Sequence, residues 1–516
     1  MKKEYIFYIL ISVFFAFTYY YALDSKLDLN GDNANYLRFA GSIANGHGYS
    51  TMTTNGYTPV NHYPPGYSFF LSIFMLFGIK NLVFFKILNG LLLLGSLLLL
   101  CYISRKTIQS QPLAFTASFL AIFSPLLLHF SGMAMSEMLF LFLSVVCIVA
   151  LFKYTQQQEK KWWKSYWFYL AIACSAGTYY VRTVGMATFL AVILFFLFRK
   201  EWKQAICSCA GMVVLILPWI IRNSIHNIES RYFGTIMTVN PWRPEEGNIS
   251  SFGELIEKML TNFDETVIKG FKEVLFPFMQ INYSSTSDFF AIVGGLLIVV
   301  VIFYGAWQLK PIRWALIAYM AGHIGLFMLW HGGNGARYVV PIAPFIFVCF
   351  YAGIYAGVRK FLLKKENSLS VNFPYAFLIL AFFMFTPVKS LANQSKQPYP
   401  LAYQNYFNMA KEMQKQLSGN KAICCCRKPE LFMYYAPDIY AINYVYSENP
   451  DDVIRDLIKK NVTYVVLEQL GYGSTPRYLF PAIKQHEDLF SQLWHLQNPD
   501  TFLLSFNLKK AKEKLP

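Results

Sequence analysis

The chain has 516 residues, of which 55% are hydrophobic, 18% aromatic and only 14% charged, whereas an ordinary soluble domain carries roughly 25% charged residues. This composition excludes a soluble multidomain protein, which needs more polar surface, and a disordered chain, which is poor in apolar residues. The remaining class is an integral membrane protein, in which a net charge of +16 indicates basic cytoplasmic loops rather than a nucleic-acid partner.

Eleven apolar segments approach the roughly 20 residues that a helix needs to cross a bilayer. They cover residues 5–23, 82–104, 113–131, 136–153, 165–181, 183–198, 204–221, 289–309, 313–330, 338–358 and 371–388. A shorter apolar segment, 66–78, suits a re-entrant or interfacial helix better than a span. If it does not cross, six basic clusters fall on one side, namely Lys2/Lys3, Arg105/Lys106, Lys160/Lys161/Lys164, Arg199/Lys200/Lys203, Lys310/Arg313 and Arg359/Lys360/Lys364/Lys365. The positive-inside rule then puts the N-terminus in the cytoplasm and the C-terminus outside.

The predicted fold is a polytopic α-helical membrane protein with a small C-terminal α/β domain. The membrane domain covers residues 1–390, with outside loops over 24–81 and 223–288, and the C-terminal domain covers 391–516. Within that domain the patterns predict strands over 422–426, 462–467, 489–496 and 501–507, and helices over 429–435, 451–460 and 476–486. Alternating strands and helices are typical of an α/β domain. The three cysteines Cys424–Cys426 in its first strand are interpreted as buried packing rather than a disulfide.

The first outside loop contains the first candidate functional residue, Asp32. Tyr36, Phe39 and Ile43 recur at helical spacing after it, so a short amphipathic helix is predicted to end at Gly46. Asp32 stands at the start of this helix, where it either caps the helix or acts as a general base. Both are compatible, since the helix dipole favours an ionised carboxylate there.

Two further candidates lie in the outside loops. His62 precedes Tyr63 and the pair Pro64-Pro65, and it suits a metal ligand, a proton carrier or a hydrogen-bonding wall residue. Glu137 is an isolated carboxylate at the outer end of an apolar helix, where an acid is either functional or a cap at a wet interface.

Two arginines complete the set of candidates. Arg182 interrupts a long apolar stretch at its outside turn, and Arg337 follows a loop that contains three glycines. Each guanidinium either binds a phosphate through paired hydrogen bonds or anchors the chain at the interface. Two acids and two cations on one membrane face are the groups that transfer from a lipid phosphate requires.

The order of these motifs resembles the GT-C superfamily, and more narrowly the bacterial aminoarabinose transferases and protein O-mannosyltransferases. The resemblance covers roughly residues 1–360 and is carried by Asp32 with Tyr36, the Pro64-Pro65 pair, Glu137, and the segment Arg337-Tyr338 with its later prolines. It implies a glycosyltransferase of the cell envelope that uses a polyprenyl-phosphate sugar at the outer face of the bacterial inner membrane. The acceptor is then a lipid, a glycan or a protein.

The resemblance also implies roles for individual residues. Asp32 matches the first-loop acid, which acts as a base or helps to bind a metal; Glu137 matches the second-loop acid; and Arg337, helped by Arg182, matches the residue that binds the donor phosphate. The substrate pocket is expected to include Tyr36, His62, Tyr63 and Tyr338. Asn33 stands where members of the family often have a glutamate, and His62-Tyr63 stands where some members have an acidic residue. Whether the reaction requires a divalent metal is therefore left open, with His62 as an alternative ligand.

Two other functional classes compete with a transferase. A transporter or flippase of lipid-linked saccharide usually carries polar groups near the bilayer midplane and is built from related halves, and the sequence shows neither feature. A non-catalytic receptor or assembly factor would use residues 395–516 to bind a partner.

Overall fold

A computed structural model describes residues 3–157, 161–229, 232–333, 335–361, 368–417 and 422–515. Some predicted basic positions, Lys2, Lys160, Lys364 and Lys365, lie outside these ranges. The chain divides into two compact units. We call Met1–Lys26, Asn61–Arg231 and Ser250–Lys396 the helical unit, and Leu27–Val60, Tyr232–Ile249 and Gln397–Pro516 the tail unit. Each unit is therefore assembled from segments that are distant in the sequence.

The helical unit consists of α-helices joined by short turns. Its α-helices are Lys3–Ala22, Gly66–Leu76, Leu82–Ile108, Gln111–Ile122, Pro125–Ser131, Glu137–Thr155, Tyr166–Val181, Met186–Phe198, Trp202–Ile225, Phe252–Phe263, Gly270–Leu275, Phe289–Gln308, Arg313–Met328, Ala343–Phe361, Ser368–Asn372 and Leu380–Lys396. Short 3₁₀ segments cover Trp162–Lys164, Thr183–Gly185, Gly335–Ile342 and Phe373–Ile379, and a π-helical segment covers Asp264–Lys269. Each predicted apolar segment therefore corresponds to helix.

The apolar helices differ in length. Among the described residues, seven are long and apolar enough to cross a membrane, or eight if one bent pair counts as a single span. Three other predicted spans form the shorter helices Tyr166–Val181, Met186–Phe198 and Arg313–Met328. The apolar segment after the proline pair forms an 11-residue helix, Gly66–Leu76, which is as short as its sequence predicts.

Two predicted spans are interrupted at prolines. The segment predicted over 113–131 forms Gln111–Ile122 and Pro125–Ser131, which are bent by 62°, because Pro125 has no N–H and Ser124 caps a new helix. The segment predicted over 338–358 begins as 3₁₀ helix and becomes α-helix at Ala343. Pro341 lies in that 3₁₀ segment. Proline thus sets the geometry of the chain next to Arg337.

The tail unit contains helices, a small hairpin and a five-stranded sheet. Its helices are Asp32–Ala44, Tyr232–Met237, Leu401–Leu417, Pro429–Tyr435, Pro450–Lys459, Phe480–Gln485 and Leu508–Lys514, with single turns at Pro244–Glu246, Thr475–Leu479 and Glu487–Leu489. Its strands are β1 (Ser50–Thr53), β2 (Gly56–Pro59), β3 (Ile423–Cys425), β4 (Tyr440–Ile442), β5 (Tyr464–Leu467), β6 (Phe490–Leu496) and β7 (Thr501–Phe506). The strands predicted within residues 422–507 are all present at these positions.

The large sheet is mixed, in the order β4-β3-β5-β7-β6. Strand β3 is parallel to both of its neighbours, whereas β7 is antiparallel to β5 and β6.

Cys424, Cys425 and Cys426 are fully buried and are free thiols, so the interpretation as packing is confirmed. The core below them is formed by apolar residues such as Val453, Leu457, Val465 and Leu479.

The short helix predicted in the first outside loop is present as Asp32–Ala44. Its apolar positions Tyr36, Phe39 and Ala40 are buried, as their spacing predicts. The N-cap is Gly31 rather than Asp32, so the interpretation of Asp32 as the capping residue is wrong. Asp32 is instead the first helical residue, where the dipole favours a carboxylate.

Candidate active site

Three of the predicted residues meet in one ion-pair cluster in the helical unit. Glu137 opens the helix Glu137–Thr155, and its side chain is fully buried. Its Oε1 lies 2.8 Å from a terminal guanidinium nitrogen of Arg182 and 3.2 Å from Nε of Arg337. Arg182 also donates to the hydroxyl of Ser136 at 3.1 Å. We call Glu137, Arg182 and Arg337 the arginine cluster.

Each member of the arginine cluster sits at a break in the helices. Arg182 separates Tyr166–Val181 from the turn Thr183–Gly185, and Arg337 lies in the 3₁₀ segment Gly335–Ile342. The side chains of Arg182 and Arg337 are 17% and 18% exposed, whereas the side chain of Glu137 between them is fully buried. A buried carboxylate requires such partners, and here it fixes two cations at one point.

The loop before Glu137 is anchored by a residue that the sequence analysis missed. The amide of Asn89, on the helix Leu82–Ile108, is fully buried and donates to the carbonyls of Met133 at 2.5 Å and Met135 at 3.1 Å. It also donates to the hydroxyl of Tyr67 at 2.9 Å. This contact could have been anticipated from the sequence, because Asn89 is a polar residue inside an apolar helix and a buried amide must find hydrogen-bond partners.

The loop before Arg337 is anchored by two residues of the segment 223–288, whose contacts sequence reasoning missed. A carboxylate oxygen of Glu265 accepts from the backbone N–H of Gly333 at 2.9 Å. The amide of Asn262 donates to the carbonyls of Met328 and Trp330 at 2.9 and 2.5 Å. These contacts fix the chain just before Arg337.

His331, in that loop, is an uncharged group at neutral pH. Burial lowers the pKa of His331 below its usual value, and the charges of Lys258 and Arg337 lower it further. The positive charge next to the loop therefore comes from arginine and lysine rather than from imidazole.

Asp32 lies in the tail unit, among residues from the C-terminal segment. Glu430 is close enough for its charge to interact with Asp32. Lys428 lies 3.6 Å from Glu430 and donates to the carbonyl of Asn30 at 2.7 Å. Arg38, in the same helix as Asp32, donates to Thr51 at 3.1 Å. Glu430 and Lys428 carried no motif signal, since only the fold of the tail unit brings them to this loop.

The predicted pocket residues occupy different environments. Tyr36 is 3% exposed in the tail unit. His62 and Tyr63 belong to the helical unit, where their rings meet edge to face at 4.4 Å. The ring of Tyr338 stacks on Phe327 at 4.1 Å and is buried, so it packs against the protein rather than standing open.

The side chains that could bind a metal ion are His, Cys, Asp and Glu. Over the ranges that the structure describes, no three His, Cys, Asp or Glu side chains form a group that could hold a metal ion. Asp32 and His62 are therefore not part of a metal site built from three such protein ligands.

The chain is similar to known proteins in part of its sequence and in its fold. Residues 6–229 match the family described as dolichyl-phosphate-mannose-protein mannosyltransferase. The fold is similar to ArnT from Cupriavidus metallidurans in complex with undecaprenyl phosphate, with a TM-score of 0.60 at 12% identity over 98% of each chain. It is also similar to the oligosaccharyltransferase AglB from Archaeoglobus fulgidus in complex with an inhibitory peptide and a dolichol-phosphate, with a TM-score of 0.60 at 14% identity over 97% of this chain and 74% of that one.

The family match covers somewhat less than half of the chain, and the likeness to ArnT and AglB is a likeness in fold. A search of curated protein sequences returns no match.

The two comparisons cover different parts of the chain. The family match includes Asp32, His62, Glu137 and Arg182 but ends before Arg337. Arg337 and the C-terminal segment are covered by the likeness in fold. Because the identity to ArnT is only 12%, the likeness in fold assigns no role to Arg337 or to the C-terminal residues.

Proposed function

We propose that the protein transfers a sugar from a polyprenyl-phosphate donor to an acceptor at the outer face of the membrane. The observation that carries this proposal is the arginine cluster, in which a buried carboxylate orients two guanidinium groups at the ends of helices. Guanidinium groups bind phosphate by paired, charge-assisted hydrogen bonds. The similar structures named above were solved with undecaprenyl phosphate and with a dolichol-phosphate, which are lipids of the proposed donor class.

In the proposed reaction Asp32 is the general base. It accepts the proton of the acceptor hydroxyl, whose oxygen forms a bond to the anomeric carbon of the sugar. The bond between that carbon and the phosphate oxygen breaks, and the polyprenyl phosphate leaves with the electron pair. Attack opposite to the leaving group inverts the anomeric configuration.

Arg337 and Arg182 stabilise the charge that develops on the departing phosphate. Glu137 acts through them, because its carboxylate contacts both guanidinium groups, and it is therefore a positioning residue. Tyr36, His62, Tyr63 and Tyr338 are proposed to shape the substrate pocket, Tyr338 from within the packed protein. The acceptor is a lipid, a glycan or a protein.

The proposed topology has eleven crossings. The N-terminus lies in the cytoplasm of a bacterial inner membrane, and the outside loops cover residues 24–81 and 223–288. Residues 391–516 form a soluble α/β domain on the outside. This arrangement is supported by the basic clusters of the sequence, which it puts together on the cytoplasmic side.

The cell-surface glycan and glycolipid profile of a strain that lacks this chain tests the proposal. We expect one product to disappear, to return with the wild-type chain, and to stay absent with Asp32→Asn, since an amide cannot act as the base. Asp28→Asn is the matched control, because Asp28 lies in the same loop and bonds to the N–H of Asn30, which an amide oxygen can replace. Restoration of the product by an Asp32→Asn chain at wild-type level would contradict the base role.

A further inference from the structure

The C-terminal segment contributes charged residues to the loop that carries Asp32. Strand β3 is completely buried and lies between two parallel neighbours. The chain leaves its carboxyl end at Cys426 and continues through Lys428 into the helix Pro429–Tyr435. The carboxyl ends of parallel strands are where α/β sheets usually present functional groups, and here they present Lys428 and Glu430.

Lys428 forms a direct bond with the backbone of the first loop. Its Nζ donates to the carbonyl of Asn30 at 2.7 Å, two residues before Asp32. The same Nζ lies 3.6 Å from Oε1 of Glu430 and 5.0 Å from the centre of the Tyr472 ring. The Lys428 side chain is 11% exposed, and its charge-assisted bond joins it to an exposed residue of the loop.

Glu430 closes on the same loop at Gly31. A Cβ at position 31 would overlap the side chain of Glu430, so a larger residue there would require Glu430 to move. Gly31 also has a φ of +99°, a conformation that favours glycine. Its carbonyl accepts from the N–H groups of Ala34 and Asn35 at 3.0 and 3.3 Å, so contacts at Gly31 fix the first turn of the helix that Asp32 begins.

The charges around Glu430 come from several elements. Lys428 and Arg427 precede it in the chain. Asp32 and Arg38 face it from the helix Asp32–Ala44, and Tyr406 faces it from Leu401–Leu417. Burial raises the pKa of Glu430, and the charge of Asp32 raises it further against the opposing effects of Lys428 and Arg427. The two carboxyl groups are therefore electrostatically linked.

We infer that Lys428 and Glu430 are positioning residues of the transferase, which hold the backbone at Asn30 and Gly31 and thereby fix Asp32 for proton transfer. This inference rests on the proposed function, because it assumes that Asp32 is the base. It assigns the C-terminal segment a direct part in the reaction in addition to any part in acceptor recognition.

The test uses the full-length protein in detergent and Lys428→Met, which keeps the length of the side chain and removes the donor. We expect backbone amides 33–36 to exchange with deuterium about tenfold faster, the size of effect expected for one charge-assisted hydrogen bond. We also expect the surface product to fall to the level of Asp32→Asn, while the affinity for undecaprenyl phosphate stays at the wild-type value. Lys428→Arg should restore both slow exchange and product.

The matched control is Lys460→Met. Lys460 also bonds to a backbone carbonyl, that of Asn443 at 3.0 Å, and to a carboxylate, that of Asp456 at 2.6 Å, and it should leave amides 33–36 and the product unchanged.

Unchanged exchange in Lys428→Met, or failure of Lys428→Arg to restore the product, would overturn the inference. Full product with Asp32→Asn would instead overturn the proposed function, whatever the exchange of the Lys428 variants.

Discussion

The two candidate regions hold their carboxylates in opposite ways. In the helical unit Glu137 is fully buried and contacts two arginines, so the carboxylate is bound by excess positive charge. In the tail unit Asp32 faces a second carboxyl group, Glu430, whose pKa is raised. The first arrangement is stable only when its ion pairs are complete. The second keeps a carboxylate beside a like charge, which is an arrangement suited to a group that must accept a proton.

The arginine cluster should show the largest effect. Glu137→Gln leaves two guanidinium groups without their counter-charge, and breaking a buried pair costs about 3 kcal/mol or more. We expect a large loss of thermal stability in detergent. We also expect undecaprenyl phosphate to bind at least about tenfold more weakly, because a loss of about 1.4 kcal/mol in binding free energy from misplaced guanidinium groups is already tenfold in Kd.

The control for the arginine cluster is Glu201→Gln, which breaks a pair with Arg199 at the same 2.8 Å distance but with 37% of the arginine side chain exposed. An exposed pair contributes about 1 kcal/mol or less. Equal losses of thermal stability in Glu137→Gln and Glu201→Gln would mean that the buried ion pairs contribute no more to stability than the exposed pair.

Gly31→Ala should show the next largest effect. A side chain there is strained at a φ of +99° and collides with Glu430. Gly46→Ala is the control, because Gly46 has a φ of +82° but no atom within 4 Å of the added Cβ. We expect Gly46→Ala to cost about 1 kcal/mol of unfolding free energy from the conformation alone, and Gly31→Ala to cost more and to abolish the product. Equal costs by chemical denaturation would show that Glu430 does not restrict this position.

Glu430→Gln should show the smallest effect, and its sign depends on pH. Because the pKa of Glu430 is raised, the native state holds this proton more tightly than the unfolded chain. The resulting stabilisation is complete below the ordinary pKa of glutamate, and it is lost as the pH rises through the native value. We therefore expect Glu430→Gln to be more stable than wild type at pH 7 and equal to it near pH 4 in thermal unfolding. The exposed Glu513→Gln serves as reference, and a destabilised Glu430→Gln at pH 7 would contradict the prediction.

Local patterns predicted the elements that carry the candidates. The spacing of Tyr36, Phe39 and Ile43 predicted the helix that the structure has over Asp32–Ala44, and the alternation over 501–507 predicted β7. Where proline interrupts an apolar run, as at Pro125, the helix breaks at an angle of 62°, which a count of apolar residues does not reveal.

The amino-acid sequence by itself determined that this is a membrane protein, where its helices lie, and which acids and arginines deserve attention, because these follow from composition and from periodicity along the chain. The tertiary structure alone decided that Glu137, Arg182 and Arg337 form one cluster, that Asn89 and Glu265 anchor the neighbouring loops, and that Lys428 and Glu430 hold the loop of Asp32. Lys428 and Asn30 are almost 400 residues apart, and no local preference of the chain encodes a hydrogen bond over that separation. Such a contact exists only because the buried strand β3 directs the segment that follows it.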